Sequence, residues 1–428
     1  MLLVVVMTLS LLPVAAFADD AEYYYVDRYW DESSKEVVSN EVDLDPSAFM
    51  PEGSSLTLLT NGTDTFFVVG DTTLADRWTI SGDIKLVIAD GATLTCEKGI
   101  AVNYGASLSI YGQRNDSGKL IANSESYNAA IGSDDHYDDS GANGGGTINI
   151  YGGTINATGG RRAAGIGGGD GAGNGAIAIY GGAVTAQGGE SGAGIGNGYR
   201  PATESGTITI YGGTINATGG RYAAGIGGGL GYGNGEFTIY GGTVTVQGGE
   251  GGASIGAGAY AKWEGAVKIR GGMTTLTVSA RNCAFIGHGN ISYGDGTLEL
   301  GDNMKVYLSG TTPALAMDRA DLCCSTGEQL IIAECDHPDN LYDCTEEAHW
   351  ENCPYCYTTF TPEAHDFDDC RKCTICGYQG EVFTISFAAG DSGSGSMAEQ
   401  IVVPGNEYIL PECGFTAPEG IFFKAWSV

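Results

Sequence analysis

The residue types best suited to chemistry crowd one window near the C-terminal end. Seven of the twelve cysteines and three of the five histidines fall between Cys335 and Cys376. In order they run Cys335-x-His337, Cys344, His349, Cys353-Pro-Tyr-Cys356, His365, Cys370 and Cys373-Thr-Ile-Cys376. Two C-x-x-C pairs with interspersed histidines have the spacing of tetrahedral Zn²⁺ ligation, in which thiolate and imidazole bind at about 2.0–2.3 Å. Cys335, His337, His349, Cys353, Cys356, His365, Cys373 and Cys376 provide enough ligands for two closed sites, with Cys344 and Cys370 as spares or substitutes. Order alone does not pair them. So short and polar a segment builds little core, and bound metal would supply its folding energy. A disulfide framework is the rival, because an exported chain meets oxidising conditions, although the histidines have no part in it. No Glu stands as in H-E-x-x-H, so the expected zinc is structural.

Two other groups are candidates. Asp134-Asp135-His136-Tyr137-Asp138-Asp139 offers carboxylates at Asp134, Asp135, Asp138 and Asp139 that would suit Ca²⁺. Their spacing is not diagnostic, and a solvated acidic loop is the favoured reading. Tyr111, Tyr151, Tyr180, Tyr211 and Tyr240 each follow an apolar run and precede Gly. Repeated outward aromatics form a sugar-stacking or partner-binding platform, or shield the corner where the chain turns.

The elements that would position these tyrosines are repeats. Ile150 to Gly169 returns almost letter for letter at Ile210 to Gly229, with a diverged copy between them. Within each copy apolar residues alternate with small polar ones and Gly pairs break the run, which is strand chemistry. Stacking the copies produces apolar files: Ile148, Ile177, Ile208, Phe237, Val267; Ile150, Ile179, Ile210, Ile239, Ile269; Ile155, Val184, Ile215, Val244; and Ile166, Ile195, Ile226, Ile255, Ile286. One coil cannot bury such faces alone, whereas stacked coils share a continuous core. The expected class is all-β, a parallel β-helix (solenoid), right-handed by the preference of parallel crossovers. Many of the 71 glycines would sit at its corners, where positive φ and close approach of neighbouring coils favour them. Arg161, Glu190, Arg221 and Glu250 alternate in sign at equivalent positions, predicting a charge ladder that sets register.

Composition bounds the partners. With 20 Lys+Arg against 52 Asp+Glu and a net charge of -32, the chain lacks the basic footprint of a nucleic-acid binder. Met1 to Ala18 is apolar and ends in Ala16-Phe17-Ala18, the small-residue pattern of a signal-peptidase site, so export is expected. No later segment is long and apolar enough to span a bilayer as a helix. The aromatic, acidic stretch 19-76 is expected to cap the solenoid end, covering unpaired strand edges.

Several stretches carry a family resemblance. Trp78 to Gly112, WTISGDIKLVIADGATLTCEKGIAVNYGASLSIYG, followed by coils with AAGIGGG, resembles repeat regions of large surface proteins of Gram-positive gut anaerobes. The segment ending HDFDDCRKCTICGY is similar to zinc-ribbon-like inserts of the same proteins. The tail, from Phe383 through Lys424-Ala-Trp426, resembles the internalin-type B-repeat, a small β-grasp-like module that would normally continue past Val428. With these resemblances the chain divides into 1-18 signal peptide, 19-76 cap, 77-310 parallel β-helix, 311-334 connector, 335-380 Cys/His zinc-ribbon-like segment and 381-428 partial B-repeat.

What the resemblance implies is a secreted, cell-surface or cell-wall protein of a bacterium, structural or adhesive in role, with glycans or a host or wall surface as partner. The coils repeat nearly the same residues with few charges, and no position is singled out for catalysis. A non-enzymatic protein is therefore expected. Polysaccharide binding by the solenoid surface is the alternative, and a polysaccharide lyase or hydrolase stands third, since β-helices host such enzymes.

Overall fold

The computed structural model describes residues 23–52, 56–62, 64–136, 144–201, 206–231, 233, 235–262, 264–271, 273–279, 283–292, 296–301, 304–308, 330–334, 341–344, 348–352, 363–364, 381–389, 393–402, 408–420 and 422. Two units emerge, Met1–Cys335 and Asp336–Val428.

The first unit is a parallel β-helix. Each coil contributes one strand to each of three sheets, as Thr147–Ile150, Thr154–Thr158 and Ile166–Gly167 do in one coil and Ala176–Ile179, Ala183–Gln187 and Ile195–Gly196 in the next. The coils pair in parallel and in register, so the predicted files stand one above another: Ile148 opposite Ile177, Ile177 opposite Ile208, Ile208 opposite Phe237. Ile155, Val184, Ile215 and Val244 form a second file and Ile166, Ile195, Ile226, Ile255 and Ile286 a third, all buried. Period-two alternation drives this. Thr147 and Asn149 face outward while Ile148 and Ile150 are fully buried, and each inward side chain meets apolar neighbours in the coils on either side.

Glycine is obligatory where the third strand ends. Gly132, Gly167, Gly196, Gly227, Gly256 and Gly287 hold φ between 125° and 142°, and a β-carbon on each of the first five would collide with the carbonyl oxygen of the next in the file. The backbone conformation and the close approach both demand the residue.

Part of the N-terminal stretch, expected as a cap, is built into the sheets. Met50–Pro51, Leu58–Thr60 and Thr65–Val68 extend the first sheet at its beginning, and Thr72–Leu74 starts the second. By contrast, Tyr24–Asp31 (β1) and Glu36–Asp43 (β2) form an antiparallel hairpin of their own. That hairpin lies along the flank of the coils, as its contacts below show.

At the other end, Leu330–Glu334 returns to the second sheet. It pairs antiparallel with Met273–Ser279 and with Met304–Leu308, so the end of the expected connector is a strand of the solenoid. In the second unit the described strands are Leu341–Cys344, Ala348–Asn352 and Glu363–Ala364 in one antiparallel sheet and Phe383–Ile385 with Gln400–Val402 in a ribbon. Met1 to Ala18, expected as a signal peptide, lies outside the described residues.

Candidate functional site

The tyrosines are built into one file by the first sheet. Each stands immediately after the last inward aliphatic of its strand, as Tyr151 follows Ile150 and Tyr180 follows Ile179, so its ring falls on the opposite side of the backbone. Successive rings stack face to face. Centroids are 4.5 Å apart for Tyr111 and Tyr151, 4.9 Å for Tyr151 and Tyr180, 4.7 Å for Tyr180 and Tyr211 and 5.1 Å for Tyr211 and Tyr240, with interplanar angles of 2°, 3°, 12° and 7°. The strand spacing of the sheet sets this repeat.

The file is not an open platform, however, because the hairpin lies across it. Tyr25 packs on Tyr111 at 4.4 Å, and Trp30 packs on Tyr211 at 5.5 Å and Tyr240 at 4.8 Å. The Val26 amide donates to the Gly112 carbonyl at 3.0 Å. Tyr111 is 6% exposed, and the other four are half-buried. A two-stranded ribbon is marginal alone in water and needs a surface to bury its aromatic residues. Here that surface is the tyrosine file. Burial raises the phenol pKa of Tyr111, Tyr151, Tyr180 and Tyr211, with the Asp27 carboxylate adding to the effect for the first three.

Arg28 fixes the hairpin. Its guanidinium donates to both carboxylate oxygens of Asp116, at 2.7 Å and 3.3 Å, and to the Tyr151 carbonyl. Asp116, itself at φ 49°, also accepts from the Gly153 amide at 3.0 Å. A β-carbon at Gly152 would collide with Arg28, so this corner of the coil is hollowed to admit it. A second tie joins Arg114 to both oxygens of Glu41, each at 2.8 Å. Nothing in the spacing of the sequence marks Arg28, Trp30 or Asp116. Only the run of aromatic and β-branched residues from Tyr23 to Trp30 suggests a strand.

The other candidates fall as follows. Asp134 gives one carboxylate oxygen to Arg77 at 2.6 Å and the other to Asn103 at 2.9 Å. The Asp135 amide donates to the Asn128 side chain, while Asp138 and Asp139 lie outside the described residues. Of the zinc candidates, Cys335, His337, Cys353, Cys356, His365, Cys373 and Cys376 lie outside them too, as does Cys370. His349 is on a described strand, register partner of Cys344 on one side and Glu363 on the other. In the coils Cys96 is fully buried, and burial pushes its thiol up to about 12, which keeps it protonated and unreactive.

The charge ladder is present in pairs: Arg161 with Glu190 at 3.3 Å and Arg221 with Glu250 at 2.8 Å. A further corner, not marked by any motif, gathers aromatic and cationic residues. Arg162 lies over the rings of Tyr127 and Tyr199 at 5.5 Å and 4.9 Å, Arg200 over Tyr199 at 5.2 Å, and Arg221 over Tyr222 at 5.2 Å.

Residues 148–170, 177–199, 208–230 and 237–259 each match the family model described as Beta helix repeat. These four segments coincide with four consecutive coils, so over this part of the chain the match and the parallel β-helix agree. No curated protein and no solved structure matches the chain.

Proposed function

We propose that this is a non-enzymatic structural or adhesive protein, secreted or held at a bacterial surface, in which the solenoid is a stiff display element. The observation that carries the proposal is the tyrosine file roofed by the hairpin. Its aromatic area is spent on joining five coils along one flank, bridged from Tyr25 to Trp30. Stacked aromatics and a shared core resist bending of a rod whose coils otherwise touch only their neighbours. The paired charges of the ladder serve the same end by favouring one register.

Export and the surface location are supported by the leader-like Met1 to Ala18 and by the resemblance of the coil, Cys/His and tail segments to bacterial surface proteins. Structural zinc in the Cys/His segment belongs to the same proposal and rests on ligand spacing. Metal content and free-thiol counts of protein purified with and without reductant separate zinc from disulfides.

Antibody labelling of intact source cells, combined with a reducing-end assay on acidic and neutral polysaccharides, tests the main reading. Surface labelling without new reducing ends is expected. Catalytic production of reducing ends, or labelling confined to the cell interior, overturns it.

A further inference from the structure

One corner of the solenoid carries residues that its backbone disfavours. His136, Gly171, Arg200, Gly231 and Tyr260 occupy equivalent places in successive coils, because each amide donates to the equivalent carbonyl of the next coil: Asp170, Tyr199, Leu230, Ala259 and Asn290 in turn. Gly171 and Gly231 adopt φ of 77° and 82°, the left-handed conformation that suits glycine. Arg200, Tyr260 and, one coil further, Ile291 hold φ of 40°, 58° and 55° in the same file. Three of the five described non-glycine residues at positive φ therefore share this one corner. Glycine is at hand in the repeat and relieves the strain in alternate coils, yet here an arginine and a tyrosine stand instead. Side chains kept against backbone preference point to a use for the side chains.

Their surroundings say what use. Tyr260 is 59% exposed and Tyr127 39%, and Tyr199 and Tyr222 are partly open beside them. These rings line the corner in neighbouring coils, one strand spacing apart or a small multiple of it. The cations nearby are mostly engaged: Arg162 with Asp170 at 3.4 Å, Arg161 with Glu190 and Arg221 with Glu250. Arg200 is different. It is exposed, rests on the Tyr199 ring, and among the described residues has no carboxylate partner. The rings of Tyr127, Tyr199 and Tyr222 already carry a guanidinium, whereas among the described residues none lies over the exposed Tyr260 ring. An exposed guanidinium two coils from that open ring is matched by a ligand with apolar ring faces and carboxylates.

We propose that the corner bearing Tyr127, Arg162, Tyr199, Arg200, Tyr222 and Tyr260 binds an acidic polysaccharide, one pyranose face of which stacks on Tyr260 while a uronate carboxylate takes the fork of Arg200. The proposal rests on the reading of the solenoid as a display element and names what it displays itself to. The net charge of -32 repels a polyanion at long range, but that repulsion is screened beyond about 10 Å at ~0.1 M salt, where the short-range fork decides.

The test uses the full chain and polygalacturonate, with a methyl-esterified form and a neutral glucan as comparison probes, read by calorimetric titration and thermal melting. Arg200→Gly and Tyr260→Gly restore the residue used in alternate coils. Each is expected to weaken polygalacturonate binding about tenfold or more, the loss of a charged hydrogen bond or a stacked ring, without lowering the melting temperature. Esterified polymer and neutral glucan are expected to bind more weakly than polygalacturonate. Equal binding of all three probes, no binding by the native protein, or native affinity in both variants overturns the proposal. Shortening of the polymer overturns the non-enzymatic reading instead, and binding that still depends on Arg200 would then support this face as the contact.

Discussion

Arg28 and Asp116, 88 positions apart, meet through two hydrogen bonds, the closer at 2.7 Å, and this pair clamps the N-terminal hairpin onto the coils. The Arg28 side chain is 14% exposed and that of Asp116 28%, so the pair is only partly hydrated. Arg28→Ala should cost about 2–3 kcal/mol, the range for hydrogen bonds to charged groups where a partner is left unmatched. Limited proteolysis should then cut between Tyr24 and Asp43 well before the coils. Trp30→Phe is expected to be mild, because the indole N–H has no hydrogen-bond partner among the described residues.

The middle of the tyrosine file should be its most sensitive point. Tyr180 stacks on Tyr151 and Tyr211, so Tyr180→Ala opens a gap between two rings. A loss of about 2–4 kcal/mol is expected from missing area and stacking, whereas Tyr180→Phe keeps both and should lose under about 1 kcal/mol. Thermal or denaturant unfolding of the two variants measures the difference.

How far the sequence discloses this arrangement depends on the range of the interactions. The inward files are legible because alternation and repetition are local properties: Ile148 and Ile150 announce their strand, and Ile177 and Ile179 announce the next. The stacking of Tyr151 on Tyr180 follows from the same register. The covering of that file does not, since Tyr24 to Asp31 reads as a strand anywhere, and its seat on Tyr111 and Asp116 is a matter of shape and charge between distant segments. Leu330–Glu334 is a similar case. It lies beyond the last recognisable coil, and its antiparallel return to Met273–Ser279 leaves no periodic trace. The strained corner at Arg200 is hidden for another reason, since positive φ belongs to the backbone and only the alternation with Gly171 and Gly231 hints at it.

The glycine file at the end of the third strands gives a sharp contrast between two substitutions. At Gly196 a β-carbon would strike the Gly227 carbonyl as well as holding φ at 138°, while at Gly91 the φ of 81° is matched by open space. Gly91→Ala should cost about 1–2 kcal/mol, the left-handed penalty alone. Gly196→Ala forces backbone apart between two coils and should exceed about 4 kcal/mol or prevent folding. Equal melting temperatures for the two would contradict the packing described.

Alkaline pH should dissolve the clamp from the tyrosine side. The phenols of Tyr111, Tyr151, Tyr180 and Tyr211 have pKa values raised by burial in the folded chain, relative to an ordinary value of 10.0. A raised acid favours the folded state fully below the unfolded pKa, and that contribution disappears as pH climbs through the folded pKa. Stability should therefore be insensitive to these groups below about pH 9 and fall steeply above about pH 10. Phenolate absorbance followed alongside circular dichroism should show these four groups ionising together with unfolding, and replacing two of them by Phe should flatten the slope.

Whether the tyrosine file is internal structure or an open surface is decided most directly by hydroxyl-radical footprinting read by mass spectrometry. Tyr111, Tyr151, Tyr180 and Tyr211 should be modified far more slowly than Tyr104 and Tyr260, which are 74% and 59% exposed, and Arg28→Ala should abolish the protection. Rapid modification of Tyr151 and Tyr180 in the native protein, unaltered by Arg28→Ala, would contradict the account.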